Sequence, residues 1–361
     1  MNSWLKSALA RFTGVRRSDL QNEQIGAVPP PPRRLLILRD GGLGDMILTA
    51  PILRSLRTAL GPEARIDLMC RAQSGQVIEG TGLADTIHPI GIWPFQSWLT
   101  LRRMRQNRYD IVIDLVLSAS LSWALRLLIA AASAYRVGGD KGDLAPMYDA
   151  NAELPPRISH HFLERLHIIV LSVLKEIPLD DTLPWLSYPL EIEERAKEVW
   201  RVVGDDGRRV VWINLSAGRP RRQWPAANYH SLIAKLLCDP GFANFRWVLS
   251  AAPGDHPVAC KIASMLRNPI VTVLPVESDF RVVIEMLKRA DLILTPDTSI
   301  VHAASALGKP AVVMSVAENA VTWAPWRVRC EVVTASPGEP VGCIAVDDVA
   351  MAMRRIHERL A

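Results

Sequence analysis

One pattern occurs twice along this chain: short aliphatic or β-branched runs, each followed by a run of helical periodicity. The first series places strands at residues 35–39, 65–69, 86–90, 111–115 and 135–137. The second places them at 210–215, 247–250, 270–274, 292–295 and 311–315. Strands that alternate with helices pair in parallel through right-handed crossovers. A helical run over 161–174 and a segment broken by Pro178, Pro184 and Pro189 separate the two series. The pattern therefore predicts an α/β protein of two doubly wound, Rossmann-like domains facing a central cleft. The boundaries fall at 33–185 and 190–361, behind a tail and Pro-rich linker over 1–32. In sheets of this kind ligands bind beyond the carboxyl ends of the strands, so the loops after strands are where chemistry is expected.

Length and charge agree with that division. With 361 residues the chain can bury two cores. No apolar run reaches the roughly 18 residues needed to cross a bilayer, and the longest, over 121–134, is cut by Arg126. The net charge of +5 is concentrated in residues 1–34, which carry +4, leaving +1 on the remaining 327. A body without a basic stripe does not read as a nucleic-acid binder. Five scattered cysteines with no CxxC pair fit a reducing cytoplasm and offer no zinc site. Within residues 1–17, Trp4, Leu5, Leu9 and Phe12 recur at helical spacing among Lys6, Arg11, Arg16 and Arg17. Such a basic amphipathic segment either lies on an anionic membrane surface or is a frayed terminus or a helix packed on its own domain, and patterning does not separate these.

Four loops that follow strands carry the chemistry. The first, Asp40-Gly41-Gly42-Leu43-Gly44-Asp45, leads into a helix expected over 46–60. Its glycines suit a tight turn. The third fingerprint glycine is replaced by Ile47, however, and Asp45 would compete with a pyrophosphate for the helix N–H groups, which argues against dinucleotide binding. Asp45 reads either as a helix cap or as a general base. The second loop, from Ser216 through Gly218, Arg219, Arg221 and Arg222 to Trp224-Pro225, offers N–H donors and guanidinium forks suited to a diphosphate. In the third, Asp255 stands where a carboxylate can accept from ribose hydroxyls. The fourth, Asp297-Thr298-Ser299 with His302 one turn on, opens a helix whose positive end suits an anion. His302 faces that anion or packs in the core. No D-x-D triplet occurs, so no metal site is expected and positive side chains must meet the diphosphate charge.

These residues resemble a family. Ile37-Leu38-Arg39, Gly44-Asp45, Pro51 and Leu56-Arg57 look like the opening motif of family-nine glycosyltransferases, the heptosyltransferase-like enzymes of lipopolysaccharide core assembly. Asn214 to Gly218, Arg222 and Trp224-Pro225 resemble its donor loop. Asp297-Thr298 with His302, followed by Ala306-Leu307-Gly308-Lys309-Pro310, is similar to its most recognisable stretch. His161 with Glu164-Arg165 resembles the motif that opens its interdomain helix. The resemblance implies the GT-B fold, with an N-terminal acceptor domain and a C-terminal donor domain. It implies inverting, metal-independent transfer from a nucleotide-diphosphate sugar, ADP-heptose above others, with no further cofactor. The acceptor it implies is a lipopolysaccharide-core or other lipid-linked glycan, met by a cytoplasmic enzyme at the inner-membrane surface.

Carried over position by position, Asp45 is the base, and Arg222, Thr298, Ser299, Ser216 and Gly218 surround the donor diphosphate. Asp255 meets the ribose, Asp297 and His302 serve the donor or the core, and Gly44, His161 and Arg165 lie on the acceptor side. Arg222 stands where the family mostly has Lys, and Ser299 where Gly is frequent. Val316-Ala317-Glu318-Asn319 replaces the usual Gly-Pro-Thr-x-Pro. Two other readings share the architecture: a nucleotide-sugar 2-epimerase, which needs several acid/base groups around the sugar, and a non-catalytic sugar-nucleotide binder.

Overall fold

The computed structural model describes residues 32–91, 98–131, 133–204 and 206–360. The amphipathic segment over 1–17 and the linker as far as residue 31 lie outside the described residues. Two compact units are present. The N-terminal one runs through Pro156 and includes Phe162–Thr182; the C-terminal one comprises Arg157–His161 and the chain from Leu183 onward.

The N-terminal unit is built on strands β1 (Arg34–Arg39), β2 (Arg65–Arg71), β3 (Thr86–Ile90), β4 (Ile111–Asp114), β5 (Tyr135–Gly139) and β6 (Ala150–Ala152). They form one parallel sheet in the order β3-β2-β1-β4-β5-β6. β1 is aliphatic and fully buried from Leu35 to Leu38, as a central parallel strand covered on both faces must be. Its helices are α1 (Leu43–Ile47), α2 (Ala50–Leu60), α3 (Ala72–Gly75), α4 (Trp98–Met104), α5 (Leu121–Ala130) and α6 (Phe162–Leu171). Leu36, Leu38 and Val112 of the sheet pack with Leu101, Met104, Trp123 and Leu127 of α4 and α5 in one core cluster.

The C-terminal unit repeats the plan with β7 (Arg209–Asn214), β8 (Phe245–Ser250), β9 (Val271–Val273), β10 (Leu292–Pro296), β11 (Ala311–Ser315) and β12 (Cys330–Thr334). Their order is β12-β11-β10-β7-β8-β9, again parallel throughout. Helices α7 (Leu190–Val203), α8 (Ala226–Leu237), α9 (His256–Leu266), α10 (Phe280–Leu287), α11 (Ser299–Leu307) and α12 (Val346–Glu358) accompany it. Trp212 and Trp247 lie fully buried in β7 and β8. Gly308 closes α11 in the left-handed conformation, φ +67°, which a glycine adopts without steric cost.

Three expectations change. The helix expected over 46–60 is two helices, α1 and α2, parted at Leu48-Thr49. Pro51 has no N–H to donate to Ile47, so the ladder cannot run through, and Thr49 turns its hydroxyl back onto the Asp45 carbonyl at 2.9 Å. Strands β6 and β12 were not expected; both are sheet edges without a continuous apolar run. His161 belongs to the C-terminal unit, apart from Arg165. No helix among the described residues is long and apolar enough to cross a membrane.

Candidate functional site

Each sheet reverses its strand order once, and three of the four predicted loops, those after β1, β7 and β10, leave the sheets at those points, while the Asp255 loop follows the neighbouring β8. In the N-terminal sheet the reversal falls between β1 and β4, in the C-terminal sheet between β7 and β10. A crevice opens beyond the strand ends at such a switch point, because successive crossovers leave in opposite directions.

Beyond β1 the backbone turns through Gly41 and Gly42 into α1. Asp45 accepts from the Gly42 N–H at 2.9 Å, which is the cap reading of this residue. Its other oxygen takes the Arg39 guanidinium at 2.6 Å. The Asp45 side chain nonetheless stays 29% exposed, whereas Arg39 is 2% exposed. Cap and accessible carboxylate are thus the same residue. Gly41 is a packing requirement of this arrangement, since a Cβ there would stand 2.5–2.8 Å from Asp45 side-chain atoms. Gly44 sits inside α1 and its carbonyl accepts from Leu48. Around this turn, Asp40 pairs with Arg71 and accepts from the Trp123 indole at 2.7 Å. Asp114 at the end of β4 is buried against Lys141 at 2.9 Å and accepts from the Tyr148 hydroxyl. Arg165 is buried in α6 with Nε donating to the Pro155 carbonyl at 3.0 Å.

In the C-terminal unit the loops after β7 and β10 are tied together by Asn214. Its amide donates to the Ser216 carbonyl at 3.1 Å, to Thr295 Oγ1 at 3.0 Å and to Thr298 Oγ1 at 3.2 Å. Thr298 caps α11 by accepting from the Ile300 N–H, and Ser299 opens the helix. The Ser216 hydroxyl accepts from the Ala252 N–H at 2.8 Å, which links this loop to the end of β8. Gly218 faces open space.

Arg222 donates to the Asp297 carbonyl at 3.0 Å and lies 3.5 Å from its carboxylate. Burial raises the Asp297 carboxyl above its ordinary value, against the pull of Arg222 and a 2.9 Å hydrogen bond from Asn319. Asp255 stands at the start of α9 and lines a cavity of about 370 Å³ with Leu215, Gln223, Trp224, Pro225 and Tyr229. Trp224 is structural as well, donating to the Ile344 carbonyl at 2.9 Å and packing edge-on against Tyr229.

His302 is buried one turn into α11. Burial, with His161 and Arg222 nearby, lowers its pKa to about 3, so it is a neutral imidazole at pH 7 and cannot meet a phosphate as a cation. His161 packs on the Trp326 ring with centroids 4.6 Å apart, and its Nε2 lies 3.0 Å from the Ala324 carbonyl. The C-terminal unit therefore gathers Ser216, Arg222, Asp297 and Thr298, and Asp45 and Arg165 belong to the N-terminal unit. Sequence reasoning named Arg39, Asn214 and Asn319 only within motif stretches and gave none of them a role. Among the described residues no three His, Cys, Asp or Glu side chains gather to hold a metal ion.

The family model described as glycosyltransferase family 9 (heptosyltransferase) matches residues 98–344. The chain belongs to that family. It is accordingly a glycosyltransferase. Over 296 residues this family 9 chain is 23% identical to lipopolysaccharide heptosyltransferase 3 of Escherichia coli, covering 78% of the chain and 83% of the relative. Its fold is similar to a family 9 glycosyltransferase from Veillonella parvula, with a TM-score of 0.76 at 18% identity over 91% of this chain and 98% of that one. It is also similar to the ADP-heptose heptosyltransferase II of E. coli, with a TM-score of 0.72 at 18% identity over 90% and 99% of the two chains. These likenesses are to GT-B folds, the class in which two doubly wound units make up the enzyme.

Proposed function

We propose that this enzyme transfers a heptose, with inversion, from ADP-heptose or a related nucleotide-diphosphate sugar to a lipopolysaccharide-core or other lipid-linked acceptor. In this reading the N-terminal unit handles the acceptor and the C-terminal unit the donor. Asp45 takes the proton of the acceptor hydroxyl as that oxygen attacks the anomeric carbon. The bond from that carbon to the phosphate oxygen breaks on the opposite side, and the nucleoside diphosphate departs. Arg222, Thr298, Ser299, Ser216 and the open backbone at Gly218 stabilise the charge that grows on the leaving diphosphate. Asp255 accepts from the donor ribose. With no D-x-D triplet in the sequence, these groups do the neutralising without a metal ion.

The observation that carries the proposal is Asp45: a partly exposed carboxylate held at two points at the switch point of its sheet. The family match begins at residue 98, so the base assignment rests on this geometry. The likeness to a lipopolysaccharide heptosyltransferase and to an ADP-heptose heptosyltransferase supports the donor and the acceptor. The test is to incubate the enzyme with ADP-heptose, with and without an acceptor lipid. Release of ADP that requires acceptor is the expected outcome. Asp45→Asn should reduce it by roughly 10²–10⁴-fold without weakening donor binding. An isomerised sugar nucleotide formed without acceptor would instead establish an epimerase.

A further inference from the structure

We infer that Arg39 is a positioning residue for the transfer step, holding the Asp45 carboxylate in the orientation from which it accepts the acceptor proton. The inference rests on the assignment of Asp45 as the base. Arg39 ends a strand that is otherwise aliphatic, and a buried guanidinium in such a place is costly unless it is paired. Its anchors come from several elements. Nη1 donates to the Leu115 carbonyl at 3.1 Å, just past β4, and to the Asp40 carbonyl at 3.2 Å. The guanidinium carbon lies 4.8 Å from the centre of the Phe162 ring at the start of α6. None of these contacts involves Asp45. They fix the cation first and leave Nη2 to take Asp45 Oδ1 at 2.6 Å.

The Gly42 N–H holds Oδ2 from the other side at 2.9 Å. With both oxygens held, the carboxylate cannot rotate about its last torsion, and its remaining lone pairs keep one direction. Three carboxylates, Asp45, Asp40 and Asp114, oppose the burial that lowers the Arg39 pKa, and so favour its charged form. A second arginine near this turn, Arg71, is half exposed and pairs with Asp40. It is not the group that sets the carboxylate. A lysine in place of Arg39 would bring charge but not the fork that serves several acceptors at once.

The experiment is a double-mutant cycle in the full-length enzyme with Arg39→Met and Asp45→Asn. The readouts are kcat, donor KM and the melting temperature. Misplacing a reacting group costs about 10²-fold, so Arg39→Met should lower kcat by about that factor and leave donor KM within about twofold. The doubly substituted enzyme should be no slower than Asp45→Asn alone, to within about threefold. Arg39→Lys should fall between wild type and Arg39→Met, and it replaces Arg39→Met in the cycle if that variant fails to fold. Losses that multiply would overturn the inference, because Arg39 would then act independently of Asp45, as a structural residue does. Wild-type kcat in Arg39→Met would overturn it as well. Near-normal kcat in Asp45→Asn would remove the base assignment itself. That failure is distinct from an Asp45→Asn enzyme that is slow while the cycle is multiplicative, which removes only the role of Arg39.

Discussion

Replacing Gly41 by alanine would put a methyl group where the Asp45 side chain now lies. The new Cβ would stand 2.5 Å from Asp45 Cβ, 2.6 Å from Cγ and 2.8 Å from Oδ2. Ordinary contact begins near 3.4 Å, so Asp45 Cβ must retreat by about 0.9 Å and its carboxylate atoms by about 0.6–0.8 Å, of the order of the 1 Å misplacement that costs an enzyme about 10²-fold. The backbone offers no obstacle, because Gly41 is not among the residues of positive φ. The retreat draws Oδ1 off the Arg39 guanidinium and Oδ2 off the Gly42 N–H, contacts now 2.6 and 2.9 Å long. We therefore expect Gly41→Ala to lower kcat by about 10²-fold, equivalent to about 2.7 kcal/mol in the barrier. Gly42→Ala is the built-in control. Its Cβ would meet only Asp45 Oδ2 at 3.9 Å, an ordinary contact, so kcat should stay close to wild type. The assay is acceptor-dependent nucleotide release at saturating substrates, with the melting temperature of each variant measured alongside. A Gly41→Ala enzyme with wild-type kcat and unchanged melting would refute the argument that the position of Asp45 governs turnover.

Arg222→Ala should lower kcat by roughly 10²–10³-fold, the loss expected for one donor to a developing oxyanion, and raise donor KM by less. Activity should survive EDTA, and abolition that added Mg²⁺ or Mn²⁺ restores would contradict the leaving-group chemistry. His302 makes acid destabilising: the unfolded chain takes up a proton below about 6.5 that the folded protein refuses until about 3, so stability is whole above 6.5 and lost as pH falls towards 3. His302→Gln should flatten the fall of the urea midpoint between pH 6 and 4, where the site contributes at most about 1.4 kcal/mol per pH unit, and an unchanged slope would count against its neutral burial. The full-length chain should sediment with anionic liposomes and be partly released by salt, whereas a chain starting at Arg33 should not, because it lacks Lys6, Arg11, Arg16 and Arg17 together with the apolar Trp4, Leu5, Leu9 and Phe12; equal sedimentation would exclude the tail as the contact.

What could be read in advance divides along a physical line. The central strands were legible because a parallel strand covered on both faces must be apolar throughout, as Leu35–Leu38 in β1 and Val211–Ile213 in β7 are. Edge strands carry no such demand. β6 is three residues of alanine and asparagine, and β12 is half-buried, so neither leaves a mark in the pattern. The loops of the site were legible for a related reason, since a carboxylate or an arginine run directly beyond an apolar strand is conspicuous.

The groups that hold those loops in place were not conspicuous. Arg39 closes an aliphatic run and stands in the opening motif with no role attached to it, yet it is buried, because the turn through Gly41 folds Asp45 back onto it. Asn214, near the end of the strand expected over 210–215, likewise has no role of its own in the sequence, while its amide joins Ser216 to Thr298, 82 positions further on. A residue that meets substrate can be guessed from its own chemistry. A residue that positions another is identified only by its neighbour, and the neighbour across a parallel sheet is supplied by the crossover, at a distance in the chain that no local spacing encodes.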